Sequence, residues 1–334
     1  MRLTLAAAAA ALAVHAAAAQ NTPRFAVEET TIDRIEAALR DGSLTCRSLV
    51  EAYIRRIDTY DKNGPALNAI VMVNPDALKT ADDLDRRFRQ SGPAGPLHCV
   101  PVIVKDNYET VDMPTTAGSR SLEGMMTGRD AFVVKRLRGA GALMLARSNM
   151  AEFAFSPVET VSSILPGYTR NPYDTSRVTA GSSGGSAAAA ASSFGAVALA
   201  SDTGDSIRGP ASHLSLVGLR STMGLVSRGG VVPLSEAADI AGAVTRTVAD
   251  TAAVLQVIAG EDPADPVTAS GRGHVAANYA ASLDPRGLNG ARVGVLHEAY
   301  EPPPGRGADS APPDPEIVAI FHRELDVLTR EGAT

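Results

Sequence analysis

The chain has 334 residues, of which 45% are apolar and only 4% aromatic, with no tryptophan. A full core can form at this length, packed mostly by Ala, Val, Leu and Ile. The formal charge is −6, from 31 basic and 37 acidic residues, and no basic block marks a nucleic-acid partner. The histidines and the two cysteines show no metal-ligand spacing, so a metal site is not expected.

The first stretch, "MRLTLAAAAAALAVHAAAAQ", places Arg2 before an apolar run that ends in Ala17-Ala18-Ala19. That is the pattern of a secretory signal peptide over residues 1–19, cleaved near Ala19. The competing reading is a buried Ala-rich helix. A signal predicts export to the periplasm or the outside. No later segment reaches spanning length without polar interruption, so no membrane span is expected.

Thr31 to Leu39 carries Ile32, Ile35 and Leu39 at helical spacing, with Gly42 as a stop. A second helix follows Thr45, with Leu49, Val50, Tyr53, Ile54 and Ile57 on one face. "LNAIVMV" (67–73) reads as a strand, and 77–90 as a polar helix. "VPVIVKD" (100–106) is a nearly all-apolar strand suited to burial on both faces of a central sheet. A helix over 132–138 leads to the strand "ALMLA" (142–146). The segment 187–194 reads as a helix and "AVALA" (196–200) as a strand. Thr247 and Asp250 fit a capping box for a helix ending at Gly260. Residues 261–286 read as a surface excursion and "ARVGVL" (291–296) as another strand. After a Pro/Gly loop over 301–314, Asp314 caps a helix with Pro315 at its first position. Its face is Ile317, Ile320, Phe321, Leu325 and Leu328. Strands alternating with helices predict an α/β fold with a largely parallel sheet. "LTREGAT" closes that helix and begins what reads as a further strand, so part of a C-terminal portion is expected to be missing. An uncovered sheet edge and apolar face should then favour association.

Cys46 and Cys99 are the only cysteines. An exported protein can join them, but their spacing carries no geometry, and two small buried thiols are the preferred reading.

"TAGSSGGSAAAAASSFGAVALASDTGDSIRGP" (179–210) holds two Gly/Ser clusters without a histidine. Gly181-Ser182-Ser183-Gly184-Gly185 matches G-x-S-x-G, the nucleophile elbow of an α/β-hydrolase esterase, with Ser183 central. That motif requires an apolar strand before it, whereas "RNPYDTSRVTA" is polar, and no downstream His stands in a supporting context. A structural Gly/Ser turn at the start of an Ala-rich helix is the simpler account of this cluster alone.

The second cluster, Asp202-Thr203-Gly204-Asp205-Ser206-Ile207-Arg208, and the upstream Lys105-Asp106-Asn107 change the balance. Together with "GPLHCVPVIVKDN" (95–107), "TTAGS" (115–119), "AGSSGGSAAA" (180–189) and "VGLRSTMGLVS" (217–227), they make the chain resemble the amidase signature family of serine hydrolases over nearly all of residues 20–334. The resemblance implies one α/β domain, with a mixed, largely parallel central sheet covered by helices on both faces. It implies Lys105 as base, Ser182 as bridging serine on a cis peptide, and Ser206 as nucleophile. It puts the oxyanion hole at the backbone of Thr203, Gly204, Asp205 and Ser206. Asp202 and Arg208 become a supporting pair, and Ser183 helps orient the relay. Burial at a strand end suits a base lysine, because burial disfavours the charged form. The family usually has glycine where Asp205 stands. Asp tolerates left-handed backbone angles better than most residues, so the turn is expected to survive with its side chain aimed away from the oxyanion.

What the resemblance implies is a cofactor-free amidase acting on a small-molecule or peptide amide, and the signal pattern of residues 1–19 adds the expectation of export. The alternatives are a non-catalytic, truncated amidase-like protein and an A-type component of an amidotransferase, against which the signal peptide argues. Oligomeric state is left open, a homodimer among the options.

Overall fold

The computed structural model describes residues 25–156, 167–300 and 313–334. The expected signal peptide and nearly all of the 301–314 loop lie outside the described residues. The chain divides into two compact units, Met1–Ala276 and Ala277–Thr334. Among the described residues no helix is long and apolar enough to cross a membrane.

The first unit opens with α1 (Ile32–Arg40), whose N-cap Thr31 accepts from the Arg34 N–H. In α2 (Cys46–Ile57) Thr45 and Ser48 form a reciprocal capping box, and Leu49, Val50, Tyr53 and Ile57 are buried. The alternation then runs β1 (Ile70–Val73), α3 (Ala77–Ser91), β2 (Pro101–Lys105), α4 (Phe132–Gly139), β3 (Leu143–Ser148), α5 (Gly184–Ala191), β4 (Val197–Asp202), α6 (Arg208–His213), β5 (Val217–Gly218), β6 (Ile240–Thr245) and α7 (Val248–Ile258). The strands form one six-stranded sheet in the order β1-β3-β2-β4-β6-β5. β2 runs parallel to both neighbours, β3 and β4, while the outer pairings are antiparallel. This is the expected mixed sheet with a parallel centre. Every residue of β2, β3 and β4 is buried, as their unbroken apolar runs require.

Several details differ from the sequence reading. β6 has no counterpart in it, because "IAGAVT" is rich in small residues, yet all of that strand is buried. α5 begins and ends about a turn earlier than expected. Its C-terminal side is closed by Ser193 in the left-handed region, φ 56°. Thr247 caps α7 by accepting from the Asp250 N–H, and the Asp250 carboxylate accepts from the Ile32 N–H at 3.0 Å, tying α7 to α1. Part of the expected 261–286 excursion is anchored. Asp262 accepts from Ser227 Oγ at 2.6 Å and Asp265 from Arg228 Nη2 at 2.7 Å.

The two cysteines are bonded, with Cα atoms 5.6 Å apart across a separation of 53 residues. This corrects the preferred reading of separate thiols. The bond joins the first residue of α2 to the approach to β2, two elements whose meeting no local pattern announces. Reduction, or Cys46→Ala with Cys99→Ala, is expected to lower stability by about 2–4 kcal/mol. Urea titration of oxidised and reduced protein measures it; equal midpoints would refute a stabilising bond.

In the second unit "ARVGVL" is not a strand. Beyond local turns, its backbone pairs among the described residues only with Thr334. Val293 N–H donates to Thr334 C=O and Thr334 N–H to Ala291 C=O, both at 2.8 Å. A ladder needs further partners. α8 (Pro315–Arg330) starts as expected, with Asp314 accepting from the Glu316 N–H. No residue of α8 is buried. Ile317, Ile320 and Phe321 are 64%, 42% and 40% exposed, Phe321 lies 4.6 Å from the Tyr300 ring, and Leu325 and Leu328 are half-buried.

Candidate active site

Lys105 and Ser148 end β2 and β3 in matching register, and Asp202 ends the neighbouring β4. The carboxyl edge of parallel strands is where α/β folds bind ligands. α5 lies against this edge because Gly185 lacks a side chain. A Cβ there would fall 2.3 Å from the Asn149 carbonyl oxygen. That approach seats the residues before α5, including the cis peptide Gly181–Ser182, over the end of β2.

Lys105, Ser182 and Ser183 are completely buried. Lys105 Nζ lies 2.8 Å from Ser182 Oγ, 2.8 Å from Ser183 Oγ and 3.0 Å from Ser201 Oγ. Ser183 Oγ donates to the Ser201 carbonyl at 3.1 Å. Asn107 Nδ2 donates to Ser201 Oγ at 3.0 Å. Three expected participants thus meet directly, and two unexpected ones, Ser201 and Asn107, join the cluster. Both stand inside quoted motifs, but a serine at a strand end and an asparagine after it carry no distinguishing signal of their own. No strand leads into Ser183, which removes the strand-to-helix elbow that the esterase reading requires.

Asp106 points the other way. Its carboxylate accepts from the Thr116 hydroxyl and from the N–H groups of Thr116 and Gly118, each N–H at 3.2 Å. It sits 3.4 Å from Arg147 Nε. Burial pushes the Asp106 carboxyl up, and Arg147 opposes it. Arg147, also buried, spends its remaining donors on Tyr108 C=O at 2.9 Å, Met113 C=O at 3.1 Å and Thr110 Oγ1 at 2.7 Å. The pair therefore fastens the 106–118 loop on the face opposite Lys105.

The loop after β4 is wound around Asp202. Its carboxylate accepts from the Ile207 N–H at 3.0 Å, Arg208 N–H at 3.3 Å, Arg208 Nε at 3.1 Å and Arg220 Nη1 at 2.9 Å. Burial pushes this carboxyl up, but the hydrogen bonds from Arg208 and the two N–H groups outweigh it and hold it below the usual range. A carboxyl depressed in the folded state contributes stability above its unfolded value, about 3.9, and loses it as pH falls through the folded value. The 203–207 loop is therefore expected to loosen below about pH 4. Asp202→Asn should loosen it at neutral pH, costing about 2 kcal/mol. Hydrogen exchange of residues 203–208 against pH reads both; protection in the variant equal to the parent at neutral pH would refute the anchoring role.

Ser206 lies on this loop and is 7% exposed. Among the described residues, the N–H groups of Gly204, Asp205 and Ser206 donate to no acceptor. Asp205 is exposed, and its φ is not in the left-handed region. The turn therefore makes no demand for glycine there, which corrects the physical reason expected for its survival. The Asp205 carboxylate lies against Gly209, whose ideal Cβ would be 3.1 Å from Asp205 Oδ2 and 3.8 Å from the Ala180 Cβ. The start of α6 thus abuts the segment that carries Ser182. Thr203 Oγ1 donates to Asp239 Oδ1 at 2.5 Å, while Leu234 and Ser235 N–H groups fill Asp239 Oδ2 at 2.8 and 3.0 Å. Beside Asn107, Ser201 and Thr203 opens a cavity of about 330 Å³. Among the described residues no His, Cys, Asp and Glu side chains are grouped as metal ligands.

The model of the amidase family matches residues 48–334. The A-type component of a glutamyl-tRNA(Gln) amidotransferase from Halorhodospira halophila is 39% identical over 308 residues, 92% of this chain and 60% of that protein. A probable amidase of Arabidopsis thaliana is 39% identical over 81% of this chain and 54% of its own length. Among solved structures, the peptide amidase of Stenotrophomonas maltophilia superposes with a TM-score of 0.82 at 40% identity, covering 92% of this chain and 61% of that one. A bacterial aryl acylamidase superposes at 0.79 with 28% identity, covering 92% and 60%. The chain thus spans about three fifths of the length of several relatives it matches.

Proposed function

The chain belongs to the amidase family, and from that premise we propose that it hydrolyses a carboxamide C–N bond through an acyl-enzyme on Ser206. The observation that carries the reading is the buried contact of Lys105 with Ser182, with the Gly204, Asp205 and Ser206 N–H groups of the loop after β4 donating to no acceptor among the described residues.

Lys105 serves here as a neutral amine, with hydrogens assigned to the network. Ser183 gives its proton to the Ser201 carbonyl and accepts from Lys105. The lysine lone pair is then turned to the Ser182 hydroxyl, 2.8 Å away. Ser182 can then take the Ser206 proton while Ser206 Oγ attacks the amide carbon. The carbonyl oxygen becomes an oxyanion, for which the N–H groups of Thr203 to Ser206 are the donors, each worth about 3 kcal/mol. The proton returns through Ser182 to the leaving nitrogen as the C–N bond breaks. Water then attacks the acyl carbon, gives its proton back to Ser206 by the same relay, and releases the acid.

The likeness to a peptide amidase and an aryl acylamidase supports a small-molecule or peptide amide as substrate. The 39% identity to an amidotransferase component favours a second reading, in which partner chains are required. The leader sequence and the Cys46–Cys99 bond support export instead, since disulfides persist in oxidising compartments. An active-site fluorophosphonate followed by peptide mapping tests the proposal. An adduct on Ser206 is expected; an adduct on Ser183, or none, overturns it.

A further inference from the structure

The cavity beside the Lys105 cluster has a chemical character of its own. Its walls include Val231, Val232, Pro233 and Ile240. Asn107 also lines it, but its Nδ2 is committed to Ser201 Oγ and its Oδ1, without a hydrogen-bond partner among the described residues, is closed off from the cavity space.

The charged groups of the lining are one base, Arg228, against three acids, Glu236, Asp239 and Asp265. Arg228 is engaged: Nε and Nη2 go to Asp265 at 3.1 and 2.7 Å, and Nη1 to the Glu236 carbonyl at 2.5 Å. Asp239 is filled by Thr203, Leu234 and Ser235. The Glu236 side chain is exposed and forms no hydrogen bond or ion pair with a described residue. A ligand carboxylate would meet no uncommitted cation in this lining and a surplus of negative charge. An ammonium would meet the open carboxylate of Glu236.

We infer that this cavity is a substrate subsite selective for uncharged or cationic amides, with Glu236 setting the charge preference. The chemistry rests on the amidase reading; the binding preference does not.

The test uses three amides matched in size, carrying an ammonium, a hydroxymethyl or a carboxylate on the acyl chain. Binding to the Ser206→Ala protein is measured by calorimetry, and kcat/KM with the parent. Affinity should fall from cation to neutral to anion by about fivefold per step, the upper range for an exposed ion pair. Glu236→Gln should bring the cation-to-neutral ratio toward one, and Glu236→Lys should reverse the order. Ordered binding without turnover leaves the inference standing and removes the amidase reading. Turnover with equal binding of cation and anion, or ratios unmoved by Glu236→Lys, overturns the inference.

Discussion

Ser206→Ala is expected to lower amide turnover by at least ~10⁴-fold with no change in melting temperature. The serine is 7% exposed, and no side-chain hydrogen bond among the described residues depends on it. Removing its oxygen therefore leaves the Asp202-centred loop intact. The acyl-enzyme cannot form, so the variant should also lose fluorophosphonate labelling. Ser183→Ala gives a contrasting result, because Ser183 bridges Lys105 and the Ser201 carbonyl. It should lower both activity and melting temperature while leaving Ser206 open to slow labelling. Full turnover by Ser206→Ala would transfer the nucleophile role elsewhere.

Lys105→Met should reduce amide kcat/KM by about 10³–10⁴-fold, and the hydrolysis of a matched ester by less. Methionine keeps most of the volume of a side chain that is completely buried but removes the amine proposed to receive the proton and return it. An amine leaves an acyl centre only when protonated, whereas an alkoxide needs less help, so the amide suffers the double loss. Equal losses on ester and amide would argue that the lysine organises the serines without moving protons. The ester-to-amide ratio separates the two causes and the melting temperature does not, since the lost hydrogen bonds to three serines lower stability in either case.

The Lys105, Ser182 and Ser183 meeting was legible because each sits in a short motif whose parts are ordered along the chain. The buried strands β2, β3 and β4 were legible for the same reason that they are buried: their apolar runs tolerate no exposure. What escaped was set by packing between distant segments. Ser201 and Asn107 acquire roles only where β2 and β4 lie side by side. Asp239 reaches Thr203 across a separation of 36 residues. The turn at Asp205 misled because the residue type suggested a backbone angle that the loop does not use. "ARVGVL" has the composition of a strand, but a strand is a property of a pair, and its pairing stops at Thr334.

The seating of Lys105 among serines from other strands and loops bears on how the molecule comes to life. Its contacts close spans of 77, 78 and 96 residues, and none is local. Long closures are assembled late and slowly compared with helices and hairpins. On the proposed reading, no partly made chain ending before residue 206 holds the nucleophile, and none lacking the β2–β4 pairing holds Lys105 beside Ser201. Reactivity would then be withheld from the nascent polypeptide until the native sheet closes, so that topology itself would shield the cell from the chemistry.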